Sequence, residues 1–414
     1  MAEDSTASRS PRFTSGHLRA LPAAIWALGL GSLFMDTSSE LIHSLLPVYM
    51  ATVLGASMVT IGLVEGVAEA TAAITKLFSG ALSDALGKRK FLVVLGYALA
   101  ALTKPVFPLA PTIGWVFTAR FVDRVGKGIR GAPRDALVAD ITPAPLRGAA
   151  YGLRQALDSV GALLGPLLAA GFMVWFADDI GAVMWVAVVP AVAAVALLMV
   201  YVREPERDSG ATSRASPTLA GVTRLPLRYW LVVLLGTVFT LARFSEAFLV
   251  LRAQDVGLAL GHVPLVMIVM NLFYASVAYP AGAAADRLSP RVLLLAGLAL
   301  LIGADLLLAA AASPWPVFAG AALWGLHMAL TQGLLAKLVA DVAPAALRGT
   351  AFGVFNLVTG GALLSASVVA GALWSTLGAS ATFVAGAAFA TAAAAGVLVY
   401  RTRRHTEGTT EERH

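Results

Sequence analysis

Apolar stretches long enough to cross a membrane follow one another from Leu21 to Tyr400, separated by short polar connections. A helix needs roughly 20 apolar residues to cross the hydrocarbon core of a bilayer. Charged residues make up only 13% of the chain, whereas a soluble domain carries about 25%. This pattern excludes an ordinary water-soluble protein and predicts an all-α polytopic protein in a lipid bilayer.

The hydropathy pattern predicts twelve transmembrane helices in two six-helix halves. The predicted spans are residues 22–50, 57–80, 90–110, 112–134, 148–174, 181–202, 229–251, 263–284, 291–312, 315–339, 347–375 and 379–400. The corresponding regions are an N-terminal tail (1–20), an N-terminal bundle (21–202), a linker (203–228), a C-terminal bundle (229–400) and a C-terminal tail (401–414).

Basic residues are concentrated in one set of connections, which the positive-inside rule assigns to the cytoplasm. This set contains both tails, the linker and the run from Lys88 to Lys90, whereas the opposite loops hold little beyond Lys104 and Arg252. We therefore expect a multi-pass protein with both termini cytoplasmic, in the inner membrane of a bacterium. The basic residues are dispersed among apolar spans, so nucleic acid is not an expected partner.

The two halves repeat in sequence. Residues 139–148 read ADITPAPLRG and residues 340–349 read ADVAPAALRG, with seven identical positions in ten. A repeat that contains an even number of spans keeps its orientation, so the halves are predicted to be parallel repeats about an axis along the membrane normal. Carriers use this arrangement for alternating access.

Several kinds of chemistry find no support in the sequence. The chain has no cysteine, which removes thiolate metal sites and cysteine nucleophiles. The segment Gly126–Gly131 has the letters of a dinucleotide-binding motif but follows no strand, and no phosphate-binding loop ending in Lys and Ser or Thr occurs. We therefore expect neither an enzyme nor a bound cofactor, and transport would be driven by an ion gradient such as that of protons.

The segment GALSDALGKRK between the second and third predicted spans contains Gly80, Asp84, Gly87, Lys88 and Arg89, and a degenerate copy in the second half contains Gly282, Asp286 and Arg287. It resembles the loop signature of the major facilitator superfamily, and the resemblance covers nearly the whole chain. It implies the twelve-helix major facilitator fold and a cytoplasmic gate that stabilises the outward-facing state; alternatively, the basic residues only set topology. The gate residues are Gly80, Asp84, Gly87, Lys88, Arg89, Gly282, Asp286 and Arg287.

Gly161, Gly165 and Pro166 on the fifth span resemble the motif associated with antiporters of this superfamily. Small residues four apart allow close helix packing, and proline bends a helix. The segment can therefore act as a hinge, and simple packing is the alternative.

Ionisable residues inside membrane spans are costly and mark functional sites. Asp36, Glu40 and His43 share one face of the first span because they are spaced i, i+4 and i+7. The candidates for proton coupling are Asp36, Glu40, Glu65 and Glu69. An acid held in an apolar interior can exchange a proton near neutral pH. Alternatively, Arg120, Arg124 and Arg154 neutralise these acids and hold the helices together.

The resemblance implies that spans one, four, seven and ten line a central cavity. The charged candidates for substrate contact are Arg120, Asp123, Arg124, Lys127, Arg154, Asp158, Arg243 and Glu246, and the others are Asn271, Tyr274, Trp324, His327 and Asn356. Asp36, Glu40 and His43 are weak candidates for a divalent metal, because oxygen and imidazole ligands suit first-row metals.

These observations favour a secondary transporter, expected to be a monomer, that exports a small toxic or amphipathic compound in exchange for protons. A divalent metal exporter and a proton-coupled importer of a small anion are the alternatives within transport. Outside transport, a receptor could keep the carrier fold without turnover.

Overall fold

The structure is a computed structural model. It describes residues 20–86, 88–143, 146–204, 219–284, 288–344 and 347–407. Within these ranges the helices form segments numbered here α1 to α12, one for each predicted span.

The first six segments are α1 (Ala23–His43 and Leu46–Thr52), α2 (Met58–Leu86), α3 (Arg89–Thr103 and Val106–Leu109), α4 (Ile113–Ile141), α5 (Arg147–Trp175) and α6 (Ile180–Val186 and Val188–Tyr201). The other six are α7 (Leu227–Leu241 and Ala247–Asp255), α8 (Leu265–Ala284), α9 (Pro290–Ala310), α10 (Pro314–Val342), α11 (Arg348–Leu377) and α12 (Ala379–Glu407). Short 3-10 helices, Leu219–Arg224 and Leu260–His262, precede α7 and α8.

Nine segments in the described part of the chain are long and apolar enough to cross a membrane by length and composition. The remaining three are α1, α4 and α7. A polar run from Asp36 to Glu40 interrupts α1, several charges lie along α4, and the apolar helix of α7 ends after Leu241. The prediction of twelve spans is therefore confirmed for nine, and for these three it stays a prediction.

Each half has its own helix packing. In the first half α1 packs against α5 and α6, and α4 packs against α2 and α3. In the second half α10 packs against α8 and α9, and α9 also packs against α12.

The halves meet where α2 packs against α11 and α5 packs against α8. Glycines bring the α2 and α11 backbones together: a Cβ on Gly62 would collide with the Ser367 carbonyl oxygen, and one on Gly371 would collide with that of Met58. Small residues at such contacts allow the close approach that helix packing in membranes depends on.

The two ends of the molecule differ in their apolar packing. At one end a single buried cluster joins both halves, with Leu46 and Tyr49 of α1 in the same cluster as Phe248 and Leu251 of α7. At the other end each half has a separate cluster, one of them around Tyr97 and the other around Tyr229, Val339 and Phe355. The halves are therefore joined at one end and leave room for a cavity toward the other.

Candidate functional site

A cavity of about 470 Å³ lies between the halves. Its size lies in the range of roughly 300–1,000 Å³ that holds small-molecule ligands. The lining residues are Asp36, Glu40, Glu69, Ala72, Ala73, Lys76, Lys127, Gly128, Arg130, Gly131, Arg134, Asp135, Gln155, Asp158, Ser159, Ala162, Asn271, Tyr274, Ala275 and Asn356. Many of them lie toward the end of the molecule that carries the α2–α3 and α4–α5 connections.

A second cavity of about 180 Å³ adjoins the first, because Glu40, Glu69, Lys127 and Asn271 line both. Residues that line only the second cavity include His43, Arg124, Arg243, Glu246 and Met267. It is the deeper part of the same site. Together the two cavities collect many of the charged residues predicted from the sequence.

Asp36 differs from the other three acids predicted to couple protons. Its side chain lines the larger cavity, and in the described part of the chain it has no hydrogen bond and no ion pair. The helical spacing of α1 places Glu40 one turn further on the same face, at the junction of the two cavities. The cavity therefore contains one carboxyl group without a protein partner.

Glu40 and Glu65 belong to a chain of contacts that crosses three helices. The two ring nitrogens of His43 lie 3.4 Å from Glu40 Oε2 and 3.5 Å from Glu65 Oε2, and Arg120 Nη2 donates to Glu65 Oε2 at 2.7 Å. Glu65 and Arg120 are buried outside both cavities. This chain of contacts links α1, α2 and α4, so Glu65 is held by an arginine at a contact between helices.

Two further ion pairs fix α4. Arg124 Nη2 lies 3.2 Å from Glu69 Oε1 on α2, and Lys104 Nζ donates to Asp123 Oδ1 at 2.9 Å. Lys104 is buried within the span Arg89–Leu109, so its assignment to an external loop was wrong. The break between the two helices of α3 lets the lysine point inward, and Asp123 neutralises its charge.

A cluster of four charges joins α4 and α5 beside the larger cavity. Arg154 Nη1 donates to Asp158 Oδ2 at 2.8 Å, and Arg134 Nη2 lies 3.8 Å from the same oxygen. Asp135 Oδ1 lies 3.7 Å from the Nε of both arginines. Three of these residues line the cavity, namely Arg134, Asp135 and Asp158. Arg154 does not line it and contacts the two acids from outside.

Four charged residues of this site were not among those predicted from the sequence: Lys76, Arg130, Arg134 and Asp135. Arg130 is buried, with its guanidinium 4.6 Å from the ring centre of Tyr97. The helical period offered a signal on α4, since positions 127, 130 and 134 follow one face. Arg130 and Arg134 lie within the predicted fourth span, and Asp135 lies just beyond its predicted end at residue 134, whereas α4 continues to Ile141.

Lys76 and Lys127 are the exposed cations of the larger cavity. Both side chains line it, and neither has an ion pair within the described ranges. Arg243 and Glu246 lie in the break of α7, where they line the deeper cavity without a described ion pair. The site therefore offers free groups of both signs.

The second half contributes neutral polar groups to the larger cavity. Asn271, Tyr274 and Asn356 line it as predicted candidates, and Asn271 Nδ2 donates to the Ala162 carbonyl oxygen at 3.2 Å. Trp324 and His327 line neither cavity. Trp324 packs with its ring centre 5.5 Å from that of Phe244, and His327 Nδ1 lies 2.8 Å from the Gly297 carbonyl oxygen.

The glycines of the predicted hinge on α5 pack directly against the acid-bearing face of α1. A Cβ on Gly161 would lie 3.1 Å from Asp36 Cβ, and one on Gly165 would lie 2.8 Å from Glu40 Cβ and 2.7 Å from the Leu41 nitrogen. Pro166 lies inside α5. The two acids thus sit at a contact that only glycine permits.

The predicted gate remains a prediction. Gly87, Asp286 and Arg287 lie outside the described residues, as do the side-chain positions of Gly80 and Asp84. Of the others, Lys88 is exposed before α3, the Arg89 guanidinium pairs with Asp140, and Gly282 is exposed on α8.

The described residues contain no group of three or more His, Cys, Asp or Glu side chains arranged to hold a metal ion. Glu40 and His43 contact each other, but Asp36 does not join them as a third ligand. The weak metal candidates of the sequence therefore do not form a metal centre in this arrangement.

Comparison with known proteins identifies the family. The model of the Major Facilitator Superfamily matches residues 28–251 and 232–414. An uncharacterised MFS-type transporter of Methanocaldococcus jannaschii is 32% identical over 364 residues, which cover 86% of this chain and 89% of that protein. The quinolone resistance protein NorA of Staphylococcus aureus is 28% identical over 133 residues, covering 32% of this chain and 34% of that protein.

Solved structures show the same fold. The nucleoside transporter NupG superposes with a TM-score of 0.74 at 12% sequence identity, covering 91% of this chain and 98% of that one. The match therefore extends over both halves and the cavity between them. The chain is a multi-pass membrane protein with the major facilitator fold, and it belongs to the major facilitator superfamily of transporters.

Proposed function

We propose that this transporter is a proton-coupled antiporter that exports a small organic compound by alternating access. Its place would be the inner membrane of a bacterium, with both termini in the cytoplasm and the described cavity facing that side. The observation that carries the proposal is the free carboxyl group of Asp36 in the cavity. Glu40, Glu65 and Glu69 each lie within 4.0 Å of a basic side chain instead.

An unpaired carboxylate in a protein interior is costly in its ionised form, so the empty cavity favours protonated Asp36. A positive group on the exported compound stabilises the ionised form and displaces the proton. Because compound and proton then compete for one carboxyl group, each half-cycle carries only one of them. Such competition is what couples export to proton entry.

The helix contact at α1 and α5 supports the coupling. Asp36 and Glu40 lie beside Gly161 and Gly165, so a shift of α5 along α1 changes the surroundings of both acids. Rocking of two helical repeats about a central site is how carriers of this architecture alternate access. Likeness to a quinolone resistance protein over about a third of the chain supports export as the direction.

The test uses purified protein in vesicles that contain a pH-reporting dye and hold an imposed pH gradient. Organic cations, organic anions, zwitterions and divalent metals are added in turn. We expect at least one class of organic compound to trigger proton movement opposite to its own. Asp36→Asn should abolish this movement while leaving the protein folded.

Asp305→Asn is the matched control, because Asp305 is a fully buried acid on α9 that lines neither cavity. The same chemical change there should leave proton coupling intact. The proposal fails if Asp36→Asn keeps proton-coupled transport, or if both variants lose it equally while remaining folded.

Uptake of an anionic solute together with protons is the second candidate. The free ammonium groups of Lys76 and Lys127 favour it, because they can bind an anion while Asp36 is protonated. The vesicle assay separates the two functions: in uptake the proton moves in the same direction as the solute, and in antiport in the opposite direction.

A further inference from the structure

We propose that the transported compound is a zwitterion, an organic molecule of small-molecule size with one positive and one negative group. The inference rests on the proposed function for the identity of the transport site. It does not rest on the coupling to protons.

The negative pole of the site is Asp36. Its carboxyl group lines the cavity from α1, and among the described residues it has neither a hydrogen bond nor an ion pair. An ammonium group on the bound compound can therefore approach it without displacing a protein cation. Such charge-assisted hydrogen bonds are about twice as strong as neutral ones.

The positive pole is formed by Lys76 of α2 and Lys127 of α4. Gly131 lies one turn beyond Lys127, and a Cβ at Gly131 would lie 3.6 Å from Cδ and Cε of Lys76. The Lys76 side chain therefore lies along the next turn of α4 beyond Lys127. Both lysine side chains are exposed in the cavity, and neither forms an ion pair with any residue the structure describes.

The neighbouring acids of the larger cavity already have basic partners. Glu69 pairs with Arg124, and Asp158 and Asp135 contact Arg134 and Arg154. Among the described residues, the exposed charges of the larger cavity without an ion pair are thus one carboxyl group and two ammonium groups. Arg130 also lines this cavity without an ion pair, but its guanidinium is buried against the Tyr97 ring, and Arg243 and Glu246 belong to the smaller cavity. A compound that fills the cavity displaces the water around these charged groups. A charged group that then finds no partner on the compound lowers the affinity, because its lost hydration is not replaced. Only a compound with charges of both signs satisfies both poles.

The opposite wall accounts for the rest of the compound. The second half lines the larger cavity with Asn271, Tyr274, Ala275 and Asn356, none of which is charged. These side chains can hold a neutral body by hydrogen bonds and by contact with the Tyr274 ring. Charge recognition therefore belongs to the first half and shape recognition to the second.

Binding to the purified protein, without any pH gradient, tests the inference. The probes are matched sets on scaffolds of increasing charge separation: phenylalanine, 4-(aminomethyl)benzoic acid and a glycyl-phenylalanine dipeptide. Each set contains the zwitterion, its methyl ester with only the positive charge, and its N-acetyl derivative with only the negative charge. Affinity is measured by calorimetry and by the shift in thermal unfolding temperature.

We expect a zwitterion to bind at least about tenfold more tightly than either of its singly charged derivatives, the loss that one charged hydrogen bond implies. Lys76→Gln combined with Lys127→Gln should remove this advantage over the ester, and Asp36→Asn should remove the advantage over the N-acetyl form. Lys127→Arg keeps the charge and should retain binding. Arg228→Gln, at an exposed position on α7, is the control for loss of a cation outside the cavity.

Equal or tighter binding of an ester overturns the inference, as does zwitterion binding that is unchanged in the double lysine variant. Absence of binding by the zwitterions at every charge separation overturns it as well. Failure here leaves proton antiport of a simple cation standing. Conversely, zwitterion binding without proton movement in vesicles would contradict the proposed coupling to protons. The inference that the substrate is a zwitterion would then stand.

Discussion

Lys104 Nζ lies 2.9 Å from Asp123 Oδ1, and both side chains are buried between α3 and α4. The same ammonium group donates to Ser39 Oγ on α1 at 3.0 Å. One lysine thus holds three helices of the first half together at membrane depth. Neither charge lines either cavity, so the pair is a structural one.

Removing one partner of this ion pair should destabilise the protein more than removing both. Lys104→Met leaves Asp123 buried without its partner, and we expect the free energy of unfolding to fall by about 3–5 kcal/mol. The double variant Lys104→Met, Asp123→Leu removes both charges and should recover most of that loss. Unfolding in detergent measures both variants, and additive losses in the double variant would contradict the interpretation.

Gly165→Ala should separate α5 from α1. The added Cβ would lie 2.7 Å from the Thr37 carbonyl oxygen and the Leu41 nitrogen, which are backbone atoms and cannot rotate away. Overpacking of this kind costs about 1–3 kcal/mol, and we expect transport to fall sharply because α5 and α1 can no longer stay in contact. Transport into vesicles and thermal unfolding are the measurements.

Gly171 provides the control on the same helix. A Cβ there would meet nothing within 4 Å, so Gly171→Ala should leave stability and transport unchanged. If both alanine variants behave alike, close packing at Gly165 does not matter for transport.

Much of the fold follows from local pattern. Apolar length located nine membrane-spanning helices, and the spacing of Asp36, Glu40 and His43 put them on one face of α1. Both features depend only on neighbours along the chain. The other three segments, α1, α4 and α7, carry or border charged residues of the cavities. The apolar pattern that identifies a membrane span is therefore weakest in the helices that form the site.

The candidate site depended on partners from distant segments. The sequence treated Asp36 and Glu65 alike, but Arg120 from α4 and His43 from α1 contact Glu65 and do not pair with Asp36. Trp324 was predicted to contact the substrate, yet it lines neither cavity and packs against Phe244 instead. The residue spacing within one helix does not show which side chains form ion pairs with another helix. Paired and unpaired charges therefore cannot be told apart in the sequence.

Glu204 should stabilise the start of α3. Its carboxylate accepts hydrogen bonds from the backbone N–H groups of Arg89 at 2.6 Å and Lys90 at 2.8 Å. These N–H groups have no partner inside the helix, and a negative charge there also interacts favourably with the positive end of the helix dipole. Glu204→Ala should therefore destabilise this end by about 1 kcal/mol.

Hydrogen exchange of the first turn of α3 checks this effect, which corresponds to roughly fivefold faster exchange there. Arg203→Ala changes the exposed neighbour and should leave the exchange rate unchanged. Equal exchange rates in the wild type and in Glu204→Ala would show that Glu204 does not cap α3.

The absence of cysteine makes the direction of the cavity directly measurable. Ala275→Cys introduces a single thiol that lines the larger cavity, whereas Val53→Cys introduces one at an exposed position near the opposite, closed end. With the predicted topology, a membrane-impermeant thiol reagent should label Ala275→Cys only from the cytoplasmic side and Val53→Cys only from the other. Inside-out and right-side-out vesicles supply the two sides, and mass spectrometry measures the labelled fraction. Labelling of Ala275→Cys only from the outer side would reverse the proposed orientation of the chain, since many of the cavity-lining residues lie toward the α2–α3 and α4–α5 connections.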